Sequence, residues 1–143
     1  MDAEDNSSPL AGAVFEVERS DGTTFLLTTG TNGTVTSGAL TPGTYKVREI
    51  LPPTGYVADG GEHTLVVSAE AGALLTVTNE PIRTSVSVTK KWIGPEGTAV
   101  VVYLLADGSG TGRTLTLSAA NNWEGSFDGL RLYMPDGKKI EYT

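Results

Sequence analysis

Apolar residues recur along this chain in short runs that alternate with polar ones, a period of two that suits half-buried strands. The runs GAVFEVE, TTFLLTT, GTYKVRE, HTLVVSAE, ALLTVTN, SVSVTKKW, AVVVYLLA, RTLTLSA and NWEGSFDGL are rich in β-branched and aromatic residues. Glycine-bearing turns separate them: SDGT, TNGT, TPGT, ADGG, ADGSGTG and MPDGK. No long stretch carries the 3.6-residue period of an amphipathic helix. About nine short strands at this spacing predict an all-β protein built as Ig-like sandwiches.

The pattern repeats. LTTGTNGTVTSGAL (27–40) and LSAANNWEGSFDGL (117–130) share an offset of 90, with Leu27/Leu117, Asn32/Asn122 and Leu40/Leu130 in corresponding places. Gly38/Asp128 is a shared turn position only. An apolar strand ending in Asp-Gly precedes each stretch, and a Pro-Gly or Pro-Asp-Gly turn followed by a tyrosine strand comes after it. Two copies of one sandwich design follow, residues 1–80 and 84–143, with Pro81 breaking strand pairing between them. The copies are cut differently. SVSVTKKW opens the second, whereas only MDAEDNSS precedes the first apolar strand of the first. The first copy continues through HTLVVSAE and ALLTVTN, but the second stops at Thr143, one residue past its tyrosine. The expectation is a first domain without its N-terminal strand, a second without its C-terminal strands, and an open edge or core in each.

Composition narrows the function. Ten basic residues against 17 acidic ones give a net charge of −7, which argues against nucleic acid or an anionic membrane as partner. With no cysteine and one histidine, disulfides, thiolate metal sites and multi-histidine sites are excluded. His63 reads as a solvated loop residue. The acidic run Asp2, Glu4, Asp5 reads as a solvated tail, lacking the spacing of a calcium loop. The longest apolar run, Ala99 to Ala106, is too short to cross a bilayer, and MDAEDNSSP lacks the apolar core of a signal peptide. No cofactor is implied.

Strand alternation selects the candidate chemistry. In GTYKVRE, Tyr45, Val47 and Glu49 share one face, with Lys46 and Arg48 on the other. In LLTVTN, Leu75, Val77 and Asn79 share a face. In SVSVTKKW, Val86, Val88, Lys90 and Trp92 align, leaving Lys91 to solvent. A carboxylate, an amide and a lysine thus point the same way as core residues.

These motifs carry a resemblance. PLAGAVFEV … TNG … PGTYKVRE-x-x-PPTGY … VTNEP resembles the SpaA-type, prealbumin-like domain of Gram-positive pilins and adhesins. SVTKKW … VVVYLLADG … LSAANNWEGSF … GKKIEYT resembles the related collagen-adhesin B-type (Cna-B) domain. The resemblance implies compact sandwiches, many of which close with a Lys–Asn isopeptide bond promoted by a buried Glu or Asp. By that resemblance Glu49 is the acid and Asn79 the acyl partner of the first domain, and Lys90 is the amine of the second. The first domain's lysine is expected before MDAEDNSS, and the second domain's Glu and Asn beyond Thr143. Neither triad is then complete, and no internal isopeptide bond is expected. The chemistry suits the residue types: desolvation drives a buried lysine towards its nucleophilic neutral form and a buried carboxyl towards its acid, which can shuttle protons as ammonia leaves.

LPPTG (51–55) fits the L-P-x-T-G pattern cut by sortases. It is followed, however, by two more strands of its own domain rather than by an apolar segment and basic tail. It therefore reads as the exit loop of the Glu49 strand, and a sortase is expected to leave it uncut. The reading is a non-enzymatic stalk or backbone module of a Gram-positive cell-surface adhesin or pilin, extracellular and wall-attached in its full-length protein. Its expected partners are neighbouring domains, with neither nucleic acid nor membrane insertion. The alternatives are an adhesive module for host matrix or glycan, and an engineered split ligation fragment. No G-x-S-x-G, Ser-His-Asp or metal-ligand arrangement supports an enzyme.

Overall fold

A computed structural model describes all residues, Met1–Thr143. The chain is all-β apart from one 3-10 turn, Ala119–Asn121, and divides into two compact units. The larger holds Met1–Ile82 with Pro135–Lys138; the smaller holds Arg83–Met134 with Lys139–Thr143.

In the larger unit four strands form one antiparallel sheet: β1 (Val14–Glu18), β2 (Thr24–Thr28), β3 (Gly43–Leu51) and β4 (Glu62–Val67), in the order β2-β1-β3-β4. Val17, Tyr45 and Val47 are buried on its inner face, packed with Phe15, Phe25, Leu27, Leu40 and Leu65. On the outer face Arg48 bridges Glu16, Glu18 and Glu62 across three strands, and Lys46 pairs with Glu62. This charge ladder covers the solvent side without demanding burial. The Tyr45 hydroxyl donates to Thr41 O at 2.7 Å, anchoring the turn that enters β3.

The smaller unit has two two-stranded antiparallel sheets. β5 (Arg83–Thr89) pairs with β8 (Glu124–Arg131), and β6 (Val100–Ala106) pairs with β7 (Ser109–Leu117). Leu104, Phe127 and Leu130 form its buried cluster, flanked by Val86, Val88, Val102, Leu115 and Tyr142. The repeat is visible in the packing: Leu40 and Leu130 reach their respective cores, as do Tyr45 and Tyr142. The last residues run along β6, where Leu105 and Thr143 exchange N–H···O bonds of 2.8 and 3.1 Å.

One expected strand is not a strand. ALLTVTN is extended, with Leu75, Val77 and Asn79 turned inward, but it carries no ladder. Its pairing is confined to its end, where Asp2 and Asn79 form a parallel bridge. The physical reason is the lack of a neighbour, since a strand's backbone groups are satisfied only across a ladder. Residues 34–41 behave likewise. Their counterparts at the 90-residue offset make up β8, which β5 pairs, whereas 34–41 have no such partner and form no strand. Between these two segments lies a cavity of about 610 Å³, lined by Thr34, Val35 and Leu40 on one side and Leu75 and Val77 on the other. At its rim Leu74 is 90% exposed.

Candidate functional site

β3 delivers Glu49 to the interior because its alternation is unbroken: Tyr45, Val47 and Glu49 are all buried, the carboxylate at 8% exposure. Across the ladder Glu49 faces Phe15, beside an irregularity between Val14 and Phe15. Asn79, 3% exposed, arrives from the end of the extended segment. Its Nδ2 donates to Glu49 Oε2 at 2.6 Å and to Val57 O at 3.2 Å. The two side chains that strand alternation singles out are thus brought into direct contact from positions thirty residues apart. Glu49 Oε1 is buried and has no hydrogen-bond partner. A buried carboxyl oxygen without a donor is costly, and here it belongs to the same carboxyl that accepts the Asn79 carboxamide.

The N-terminal residues frame this pair. The Met1 α-ammonium donates to Val77 O at 2.7 Å, Asn79 N–H donates to Met1 O at 2.9 Å, and Ala3 N–H donates to Asn79 O at 3.1 Å. Burial pulls the Met1 amine below its ordinary value, with the charges of Glu49 and then Asp2 opposing that shift. Asp2 is fully buried and accepts the Tyr56 hydroxyl at 2.7 Å and the Glu4 amide at 2.9 Å. The acidic run is therefore not wholly a solvated tail. Asp5 does stay exposed, and the Ser8 and Ser7 amides it accepts hold its carboxyl at about 2.

LPPTG belongs to the fold. Leu51 ends β3, Pro53 and Gly55 are buried, and Gly55 takes a φ of +88° that glycine reaches without steric cost. Gly55 O accepts Ile82 N–H at 2.9 Å, and Val57 N–H donates to Glu80 O at 2.8 Å. The loop thereby grips the chain just past Asn79. Further on, Asp59 N–H donates to Glu49 Oε2 at 2.6 Å, while the Asp59 carboxylate holds the ring of His63. His63 shares the inward side of β4 with Leu65 and Val67, so it is not the solvated loop residue that its neighbours in sequence suggest. Its bond to Asp59 is the main reason that carboxyl lies below its usual range. The signal was the alternation of EHTLVV, which puts His63 on the Leu65 face.

Lys90 lies apart from this constellation, in the smaller unit. Val86, Val88, Lys90 and Trp92 alternate inward as a row, and Lys91 is exposed. The Lys90 ammonium sits 4.5 Å from the centre of the Trp92 ring, within cation–π distance. Trp92 meets Trp123 edge-to-face at 5.1 Å, and its buried Nε1 lacks a partner. Asn122 and Trp123 both have positive φ, 53° and 59°, marking the tight turn into β8. Lys46, the lysine nearest to Glu49 in sequence, points to the outer face and is held by Glu62.

Comparison with known proteins agrees with this architecture. The family profile described as the SpaA prealbumin-like fold domain matches residues 2–81, and that of the Cna protein B-type domain matches residues 86–143. The collagen adhesin of Staphylococcus aureus is 37% identical over 76 residues, 48% of this chain and 6% of that protein's length. The Bacillus anthracis TIE protein superposes with a TM-score of 0.73 at 25% identity, over 87% of this chain and 24% of that one. A single B repeat unit of the S. aureus collagen-binding surface protein aligns over 99% of this chain and 78% of its own, at 23% identity and a TM-score of 0.41. The chain spans only a small part of the adhesin it matches. From Asp2 to Pro81 it belongs to the SpaA family of prealbumin-like domains, and a Cna B-type domain follows.

Proposed function

We propose that this chain is a non-enzymatic stalk or backbone module of a Gram-positive surface adhesin or pilin, and that its first domain holds the acid–amide half of a Lys–Asn cross-link. The observation that carries this reading is the buried contact between Glu49 and Asn79, set where the N-terminal residues join the end of the extended segment. A contact of 2.6 Å between an ionisable carboxyl and a carboxamide has little structural use that an apolar pair would not serve as well. It does suit proton transfer during amide exchange. A neutral lysine amine would attack Asn79 Cγ, forming the new C–N bond. Its proton would pass to Glu49 and on to Asn79 Nδ2, so that the Cγ–Nδ2 bond breaks with ammonia leaving and Glu49 returns to its starting state. Glu49 Oε2 already touches the departing nitrogen, and Oε1 is left to take the amine's proton.

No lysine reaches Glu49 in this chain: Lys46 faces outward, and Lys90 stacks on Trp92. The repeat supplies the missing register. An offset of 90 carries Lys90 to the position that would precede Met1, and Val86 and Val88 to positions that would face the cavity. The amine would thus come from a strand laid between residues 34–41 and 73–79.

A stalk module needs resistance to force and little binding surface. On arrays of collagens, other matrix proteins and glycans, the chain is expected to give no saturable signal. Saturable binding to any of them would favour the adhesive reading instead, which has the S. aureus collagen adhesin as a relative on its side.

A further inference from the structure

Asp59 acts on Glu49 from the backbone while its side chain is held elsewhere. Its N–H donates to Glu49 Oε2 at 2.6 Å. Its carboxylate accepts Gly61 N–H at 3.1 Å through Oδ1 and bonds His63 Nε2 through Oδ2. His63 in turn stands on β4, opposite Val47 in the β3–β4 ladder. A line of contacts therefore runs from the rigid sheet, through the ring and the carboxylate, to the amide that touches Glu49. The neighbouring charge, Glu62, is engaged by Lys46 and Arg48 on the opposite face and does not compete for His63.

We propose that His63 and Asp59 are a positioning pair that makes the two oxygens of Glu49 unequal, pinning Oε2 and reserving Oε1 for the proton of an arriving amine. Two N–H donors, from Asp59 and from Asn79, converge on Oε2 at 2.6 Å each and use both of its lone pairs. Oε1 is buried with no donor. The asymmetry depends on where the Asp59 amide sits, and that amide belongs to a segment continuing into Gly60 and Gly61. Two successive glycines have wide backbone freedom, so without the tie to His63 little would keep the amide aimed at the carboxylate. The pair thus replaces a conformational entropy cost at the moment of reaction with a fixed geometry set during folding. The role of Oε1 rests on Glu49 being the acid of the cross-link; the positioning of the Asp59 amide does not.

That separation allows a test in the 143-residue chain without any lysine donor. Amide exchange and proton shifts would be followed residue by residue by NMR. The Asp59 amide is expected to be protected and shifted downfield by its short, charge-assisted bond. In His63→Ala its exchange should accelerate by about tenfold or more, the scale of losing one such bond, and its proton should move upfield. Amides of β1 and β3 should keep their protection. His63→Gln can still donate to Asp59 and should restore both signatures. Asp59→Ala breaks the same tie from the other side, and decides the matter should His63→Ala lose its fold. A residue-59 amide whose exchange protection is unmoved in His63→Ala or Asp59→Ala, or is unrestored in His63→Gln, would overturn the proposal. Failure of Glu49 to promote cross-linking would leave these signatures in place, so the two ideas fall separately.

Discussion

Leu104→Ala is expected to unfold the smaller unit and leave the larger one folded. Leu104 is among the most deeply buried side chains of the chain, at 2% exposure, and it joins Phe127 and Leu130 in the only buried cluster of that unit. Truncating a core leucine costs about 2–5 kcal/mol, from lost transfer energy and the cavity left behind. A domain this small buries a limited core and has little stability in reserve. The two sheets of the unit have two strands each, and neither is self-supporting. Both tryptophans, Trp92 and Trp123, belong to this unit, so their fluorescence reports its unfolding selectively. The variant should show a urea midpoint collapsed towards zero by fluorescence, with Tyr45 and Val47 amides still protected. Tyr103→Ala, at a side chain 68% exposed on the same strand, should change the unit's stability by no more than about 0.5 kcal/mol.

The second large effect is at Glu49. Glu49→Ala removes the acceptor of both the Asn79 carboxamide and the Asp59 amide, and leaves these donors without their carboxylate partner. Each lost charge-assisted bond costs about 1–3 kcal/mol, so the larger unit should lose about 2–5 kcal/mol in urea denaturation. Glu49→Gln keeps an acceptor oxygen of the same reach and is expected to cost no more than about 1–2 kcal/mol, while abolishing the acid–base function. The contrast between the two variants separates what the side chain does for the fold from what it would do for the reaction. Equal destabilisation by both would mean that the negative charge itself holds the site together.

The parts of this molecule governed by local alternation could be read from its sequence. Glu49 and Asn79 turn inward because each follows two apolar residues at a period of two, and both are buried as that period requires. The LPPTG stretch was legible as a loop, since more of the same unit, including β4, follows it. ALLTVTN shows where local alternation stops being sufficient. Its composition and alternation are those of a strand, but pairing depends on a neighbour, and a pattern within seven residues does not contain the neighbour. Asp2 and Asp59 were illegible for a related reason. Tyr56 reaches Asp2 only once the loop after β3 folds back over the chain's first residues, and Asp59 meets Glu49 and His63 only through the path of that same loop. Lys90 aligned as expected, but whether its ammonium meets a carboxylate or an indole face is decided by side-chain direction at the strand end.

The most direct measurement is the intact mass of the chain with a lysine-bearing strand joined to Met1. Asp2 points into the interior beside Asn79, so a residue two positions earlier, bonded to the Met1 nitrogen, points the same way. That nitrogen already lies against Val77 O and feels the charge of Glu49. An extension repeating Arg83–Lys90 places a lysine there, with valines two and four residues before it facing the cavity. The extended chain should weigh one ammonia less than calculated, with the lysine found linked to Asn79 after proteolysis. Extended Glu49→Gln and the 143-residue chain itself should both keep their calculated masses. An extended chain at its full calculated mass, or one that loses ammonia equally well without the Glu49 carboxyl, would contradict the assignment of Glu49 and Asn79 as the acid and acyl partner of a cross-link.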